Sequence, residues 1–416
     1  MKRFVPLTVT VFGLWLGVRA WIHFLILLWN LPFVVLLILE VVSLFGLFHW
    51  VVRAVPIRVC GHAKRSSWLY LLIGLLVATG VVYFVTRSWA FPHGEGDAFA
   101  IWNLRARFLY YSGAEWMRAF SPILEFSHTD YPLLVPLSVV RGWMILGQEH
   151  VVVSIVLAFF YTSGTAYLLF LMTRSTDWHW GLVSMGLLLM QPNYVRMGAS
   201  QMADIPLAFY MLLSVALWRL TKESSPWSTG LVGVSLGCAL WTKNEGALFT
   251  LVFVVSLLAQ RTGRQRFWAW VLGLLPSLVS YLLFKGIVPT PNDLIAGQGE
   301  QTLNRLMDVS RYLQIAAAYM MEGWFVLITL GGIAFYSLAQ RPHLQPPRET
   351  FILWLITAML AGYFFVFLTT PAPLDWHLDT ALDRLLMQVT PLILLYGGLW
   401  LGNKSRHEPL RSKVNP

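Results

Sequence analysis

Charged side chains are scarce in this 416-residue chain. Its 30 Lys and Arg and 20 Asp and Glu make up 12% of it, about half the share of a soluble domain. That shortage excludes an ordinary water-soluble globule, and the 57% apolar content excludes a disordered chain. Cysteine is nearly missing. Cys60 falls in a basic loop and Cys238 in an apolar stretch, which leaves no disulfide framework. There is no Gly-rich phosphate loop, Walker pattern, His/Cys zinc spacing or nucleophile elbow, which disfavours ATP-driven transport and cytosolic nucleotide-sugar chemistry. No second copy of any half of the chain is visible, nor any low-complexity linker.

What is abundant is apolar sequence in long runs, with 20 Trp among the aromatics. The pattern predicts an all-α polytopic membrane protein with about twelve spans. They fall near residues 5–28, 31–52, 68–86, 151–172, 181–195, 205–218, 230–241, 247–259, 267–283, 315–338, 351–368 and 385–401. Several middle spans are shorter than the ~20 residues that cross a bilayer comfortably, so they need packing among other helices. The N-terminus starts like a signal peptide but has no small-residue cleavage site and stays apolar past residue 50, as a signal-anchor hairpin does.

Basic residues set the orientation. With the apolar stretch 131–146 kept out of the membrane as an interfacial or re-entrant helix, one set of loops collects 18 Lys and Arg against four acids. The other set has 11 basic residues and 14 acids. Both termini are then cytoplasmic, and the net charge of +10 is a topology signal that requires no nucleic-acid partner. Arg141 in the middle of 131–146 also argues against a span there. Three parts follow: a hairpin with its basic cytoplasmic loop (1–66), a transmembrane core (67–402) whose long exoplasmic loop is 87–150, and a basic cytoplasmic tail (403–416).

Five polar clusters fall on the exoplasmic face of this topology. In the first, Gly94 and Gly96 let the backbone turn before Asp97, and Arg105 and Arg107 follow on an amphipathic helix. Asp97 is either a helix N-cap or a carboxylate held at the membrane surface. The second is His128-Thr129-Asp130-Tyr131-Pro132, a sugar or metal site or else a local turn network. The third runs from Asn193 through Arg196 to Asp204, where Asp204 is either an N-cap backed by Pro206 or a second cavity-facing acid. The fourth is Lys243-Asn244-Glu245-Gly246, where two charges this close to lipid are costly unless paired or functional. The fifth, just before the last span, holds His377, Asp383 and Arg384, with Arg384 an interfacial anchor, a partner of Asp383 or a phosphate ligand. Together they suit an anionic, lipid-linked substrate: Arg and Lys neutralise a phosphate leaving group, a carboxylate deprotonates a hydroxyl, and aromatic faces stack on sugars.

The acid in Gly96-Asp97-Ala98-Phe99-Ala100-Ile101-Trp102, the 128–132 stretch, Ala203-Asp204-Ile205-Pro206-Leu207, Lys243-Asn244-Glu245-Gly246 and Asp383-Arg384 together resemble the GT-C superfamily of integral membrane glycosyltransferases. The likeness is greatest to bacterial relatives of the protein O-mannosyltransferases and of the aminoarabinose transferase that modifies lipid A. It covers about residues 68–401, with the first two spans as an addition to the core. The resemblance implies a sugar donor on polyprenyl phosphate, inversion at the anomeric carbon, and an active site on the periplasmic face of the inner (plasma) membrane. It implies Asp97 as general base and Asp204 as the second acid. Lys243 and Arg384 are its candidates for the donor phosphate, with Glu245 holding Lys243 and with His128 and Asp130 shaping the acceptor side. Arg105, Arg107, Tyr131, Arg196 and His377 complete the candidate substrate contacts. Asp97 lacks the adjacent second carboxylate typical of the protein mannosyltransferases, so the acceptor is a glycan, a lipid or a protein. A divalent cation, Mg or Mn, is compatible with Asp97 and Asp204 plus Asp130 or Glu245, and so is metal-free neutralisation by Lys243 and the arginines.

Two other classes remain. A lipid-linked-oligosaccharide flippase or other transporter needs polar groups near mid-membrane, where the spans offer only Arg19, Glu40 and Glu322. An O-antigen ligase or polymerase shares the architecture but takes pyrophosphate-linked donors.

Overall fold

A computed structural model describes residues 4–55, 67–175, 178–221, 225–260, 263–288, 299–339 and 347–407. Cys60, most of the basic loop around it and residues 408–416 of the basic tail lie outside the described residues. Among the described residues every regular element is helical. In chain order they are α1 (Phe4–Leu28), α2 (Phe33–Ala54), α3 (Ser67–Ala90), α4 (Leu104–Ser112), α5 (Leu134–Leu146), α6 (Val151–Thr173), α7 (Trp178–Leu189), α8 (Pro192–Ala199) and α9 (Asp204–Thr221). They continue as α10 (Gly230–Leu240), α11 (Asn244–Ala259), α12 (Arg264–Ile287), α13 (Gly299–Met307), α14 (Val309–Glu322), α15 (Trp324–Ala339), α16 (Pro347–Thr369) and α17 (Leu374–His407).

Eight of these helices (α1, α2, α3, α6, α9, α12, α16 and α17) are long and apolar enough to cross a membrane. Segments 134–146, 178–189, 226–240 and 244–259 form shorter apolar helices. The chain is an all-α polytopic membrane protein. Residues 131–146 yield only the 13-residue α5. Three expected spans take a different form. The stretch 181–195 is divided between α7 and α8, because Pro192 cannot continue a helix. The stretch 315–338 is divided at Gly323 into α14 and α15, so Glu322, expected inside a span, ends α14 exposed. The last helix starts at Leu374, eleven residues before the expected 385: no Gly or Pro interrupts 374–390, and charged side chains alone do not stop a helix.

The chain divides into two compact units. The first comprises Met1–Arg58, Thr79–Leu168 and Tyr194–Thr290. The second comprises Val59–Ala78, Leu169–Asn193 and Pro291–Pro416.

The core of the first unit is α9, where Asp204 through Trp218 are all buried. A helix apolar on every side must be enclosed by others. The enclosure depends on small residues. Any Cβ at Gly233 or Gly273 would overlap the backbone of the facing helix, so α10 and α12 touch main chain to main chain. Helix α1 packs on the same core, with Tyr210 Oη donating to the Gly13 carbonyl at 2.8 Å. Glu40 of α2 receives both Nε and a terminal N–H of Arg141 from α5, each at 2.8 Å, and Arg19 Nε lies 4.0 Å away. The acid that looked isolated in its span is therefore a buried ion pair, 101 residues from its partner in sequence. By contrast α2 presents Val34, Ile38, Val42 and Phe45 outward, an apolar face suited to lipid.

In the second unit, Gly398 of α17 approaches Ser184 and Thr173 closely. Arg311 of α14 donates to the Phe367 carbonyl at the end of α16 at 3.0 Å.

Candidate functional site

The site is built at one end of the first unit, where α9 starts, α10 turns into α11, and α12 finishes. Its first part is the segment entering from α3. Gly94 and Gly96 have φ of +78° and +46°, left-handed conformations suited to glycine. A Cβ on Gly94 would also overlap the Ser200 carbonyl. The tight turn is tied to the segment before α9 by Glu95 N–H donating to Ser200 O (3.3 Å) and Gln201 Nε2 donating to Pro92 O (3.1 Å). Asn103 Nδ2 bridges Gln201 Oε1 (2.9 Å) and His93 O (3.0 Å), and Ser154 Oγ donates to Asn103 Oδ1 (2.8 Å). Arg87 Nε lies 2.6 Å from Glu95 Oε1. That hydrogen bond first, then the charges of Arg87 and Arg196 and a bond from Ser200, hold the Glu95 carboxyl below the usual range against its burial.

Asp97 opens a π-helical turn, Ala98–Asn103, a form often found at functional sites. Its backbone is already helical (φ −60°, ψ −28°) and its half-buried side chain makes no capping bond, so the N-cap reading does not hold. The turn packs Ala98, Ile101 and Trp102 on Ala203, the residue before Asp204. The two acids expected to act together thus start from segments in direct contact.

The second part is the turn 127–131. Arg105 is 2% exposed and donates to Ser127 O (2.7 Å), His128 O (3.0 Å) and Tyr131 O (3.4 Å). Burial pushes its guanidinium down to about 10, so it stays charged at neutral pH, aided by Asp130. Arg105 thereby holds the turn that carries His128 in a left-handed conformation (φ +49°). The Tyr131 ring stacks on Trp102 (5.3 Å, 7°) and on His128 (5.2 Å, 16°). Asp130, 5% exposed, accepts from Asn244 Nδ2 at 2.6 Å. Lys285 Nζ donates to the Asp130 carbonyl (2.6 Å) and to Asn244 Oδ1 (3.1 Å), and stands 3.5 Å from the Asp130 carboxylate. Of the two readings of 128–132, the turn network is present.

The third part is charged and enclosed. Asp204 is fully buried, and its Oδ1 accepts from Lys243 Nζ at 2.9 Å. The same Nζ lies 2.8 Å from Glu245 Oε1 and 5.9 Å from the centre of the Tyr131 ring. Gly246 makes this geometry possible, because a Cβ there would overlap the Ala239 carbonyl and force α10 and α11 apart. The other carboxylate oxygen of Glu245 and the indole Nε1 of Trp102 are buried without hydrogen-bond partners.

Arg107 pairs with Glu149 (2.6 Å) and reaches His93 Nδ1 (3.1 Å). Arg196 is half-buried on α8, where its charge acts on Glu95. His377 and Arg384 belong to the second unit, on the early turns of α17. There His377 Nδ1 sits 2.9 Å from Thr370 Oγ1 with its ring against Phe367, and Arg384 is half-buried next to Asp383, which accepts from Asn193 at 3.4 Å. Among the described residues no three His, Cys, Asp or Glu side chains are grouped to hold a metal ion. Asp204 and Asp130, two of the acids considered for that role, each face a lysine.

Sequence reasoning missed Lys285, and it gave no role to Asn244 and Trp102, which stand inside the motifs quoted above. Lys285 sits at the end of an apolar helix, where a lysine reads as an ordinary interfacial anchor.

Residues 148–288 match the family model described as dolichyl-phosphate-mannose-protein mannosyltransferase. No curated protein and no solved structure matches the chain. The matched third includes Arg196, Asp204, Lys243, Glu245 and Lys285 and stops short of Asp97 and Arg384. It is similar to that family of membrane glycosyltransferases in the segment where the enclosed ion cluster lies.

Proposed function

We propose that the chain is an inverting membrane glycosyltransferase that moves a sugar from polyprenyl phosphate to an acceptor hydroxyl on the exoplasmic face. The observation that carries this reading is the buried Asp204–Lys243–Glu245 cluster inside the segment similar to the mannosyltransferase family. Ionised groups enclosed in a membrane protein are costly and are kept where chemistry needs them. Mannose on a polyprenyl phosphate is therefore the first donor to try.

In this mechanism Asp97 takes the proton of the acceptor hydroxyl, whose oxygen attacks the anomeric carbon as the bond to the phosphate oxygen breaks. The phosphate leaves as a polyprenyl-phosphate anion, neutralised by basic residues of the first unit, Arg196 among them. Lys243 holds the Asp204 and Glu245 carboxylates aligned, at 2.9 and 2.8 Å. The unpartnered oxygen of Glu245 and the Trp102 indole N–H offer an acceptor and a donor to sugar hydroxyls. The acceptor is a glycan, lipid or protein hydroxyl.

The test is transfer by the purified protein in lipid, using labelled polyprenyl-phosphate mannose and a panel of acceptors. Asp97→Asn is expected to reduce transfer at least about a hundredfold with unchanged expression and melting, given the roughly 10²–10⁴-fold worth of a general base. Near-normal transfer by Asp97→Asn would sink the base assignment. Recovery of the donor linkage intact on the far side of the bilayer would instead identify a transporter, and preference for a pyrophosphate-linked donor would identify a ligase or polymerase.

A further inference from the structure

The opposite end of the same helices holds a cavity of about 200 Å³ that the proposed transfer reaction does not use. It lies where α9 finishes, α10 starts, α11 finishes and α12 starts, so the length of the bundle separates it from Asp204 and Lys243. Trp218, Val232, Leu257 and Trp270 give it apolar walls, and Thr229, Gln260 and Arg266 give it a polar edge. Trp270 is 4% exposed, and its indole N–H has no hydrogen-bond partner. A buried donor left unanswered costs about 1–3 kcal/mol, so such a group is expected to face a ligand. Arg266 brings positive charge, and no carboxylate is among the described lining residues. Arg264 is exposed two residues away. Two further indoles at this end, Trp227 and Trp268, are 63% and 50% exposed. Exposed Trp next to apolar helix is the signature of the headgroup level of a bilayer. A cavity at that depth, with apolar walls, a cationic edge and an idle N–H donor, suits a phosphate attached to a hydrocarbon chain.

We infer that this cavity binds an anionic phospholipid, with the phosphate at Arg266 and the Trp270 N–H and the first part of an acyl chain along Trp218, Val232 and Leu257. The site is independent of the transferase reading, since it shares no residue with it.

The delipidated full-length protein is titrated by native mass spectrometry with phosphatidylglycerol, phosphatidylcholine or inorganic phosphate, and the thermal midpoint is followed in parallel. Phosphatidylglycerol is expected to bind at least tenfold tighter than phosphatidylcholine and to raise the midpoint by several degrees. Millimolar inorganic phosphate is expected to do neither. Trp270→Phe, which keeps the ring and removes only the donor, is expected to weaken phosphatidylglycerol about fivefold, the worth of one hydrogen bond. Arg266→Gln is expected to weaken it further. Arg266 also donates to the Thr221 carbonyl, so if that variant is unstable the Trp270→Phe result decides. Equal binding of the two lipids, protection by inorganic phosphate alone, or unaltered lipid preference in Trp270→Phe would each overturn the site.

Discussion

At the scale of single residues, the enclosed lysine is the most informative group. Lys243 is 3% exposed between Asp204 and Glu245, so replacing it by Met leaves a fully buried carboxylate with its charge uncompensated. Such a loss costs about 3–5 kcal/mol. Lys243→Met should lower the thermal midpoint sharply, and adding Asp204→Asn should restore part of it. A double-mutant cycle in detergent measures that coupling, which should exceed about 1 kcal/mol. Glu95 makes a separate, pH-dependent contribution. Its carboxyl titrates below the ordinary 4.5 in the folded chain, chiefly because Arg87 bonds the ionised form. Its stabilisation is therefore complete above about 4.5, the unfolded value, and vanishes as pH falls through the depressed folded value. Glu95→Gln should lower the thermal midpoint at pH 7, where the bond from Arg87 to the ionised carboxyl is lost, and flatten its fall below pH 4.5. Sequence and structure agree best at this scale. Asp204, Lys243 and Glu245 stood out because charges next to long apolar runs have few innocent explanations. Arg105 stood out as a base on the helix after Asp97 and Asp130 as the acid of the 128–132 cluster, but sequence could not tell that they hold a turn, since their partners are backbone carbonyls and a lysine 155 residues away.

At the scale of elements, glycines set how closely the helices approach. Gly246→Ala places a methyl group onto the Ala239 carbonyl at the turn that presents Lys243. Relief requires α10 and α11 to separate, at a cost of about 1–3 kcal/mol. Transfer activity should drop more than stability, a split visible by comparing kcat with the melting curve. Gly233→Ala presses on the α12 backbone and should lower stability with a smaller effect on any surviving activity. Long helices were legible because apolar runs of ~20 residues have one common meaning. The short helices and their ends were less so. The start of α17 at Leu374 was hidden by Asp375, His377, Asp379 and Asp383, which read as loop composition although nothing in them breaks a helix. The division between α14 and α15 hung on one glycine.

At the scale of the whole molecule, the unequal distribution of Lys and Arg predicts an orientation for the chain. Single cysteines at Tyr111, exposed in the last turn of α4, and at Trp227, exposed before α10, report on opposite sides of the predicted topology. With Cys60 and Cys238 replaced, an impermeant maleimide applied to intact cells should label position 111 and reach position 227 only after permeabilisation. The reverse result would invert every sidedness statement. Long-range pairing was the part least open to sequence reasoning. Glu40 and Arg141 each looked like an unpaired charge at an awkward depth, and only the packing of α2 against α5 makes them partners.

Lys285 grips both the carbonyl and the carboxylate of Asp130, and Asn244 grips the carboxylate again. The Tyr131 platform therefore travels as one piece with the last turn of α12 and the first of α11. Parting them would leave the buried Asp130 carboxylate without its ammonium partner. On the proposed transferase reading, a lipid-linked donor then enters along a seam other than this one.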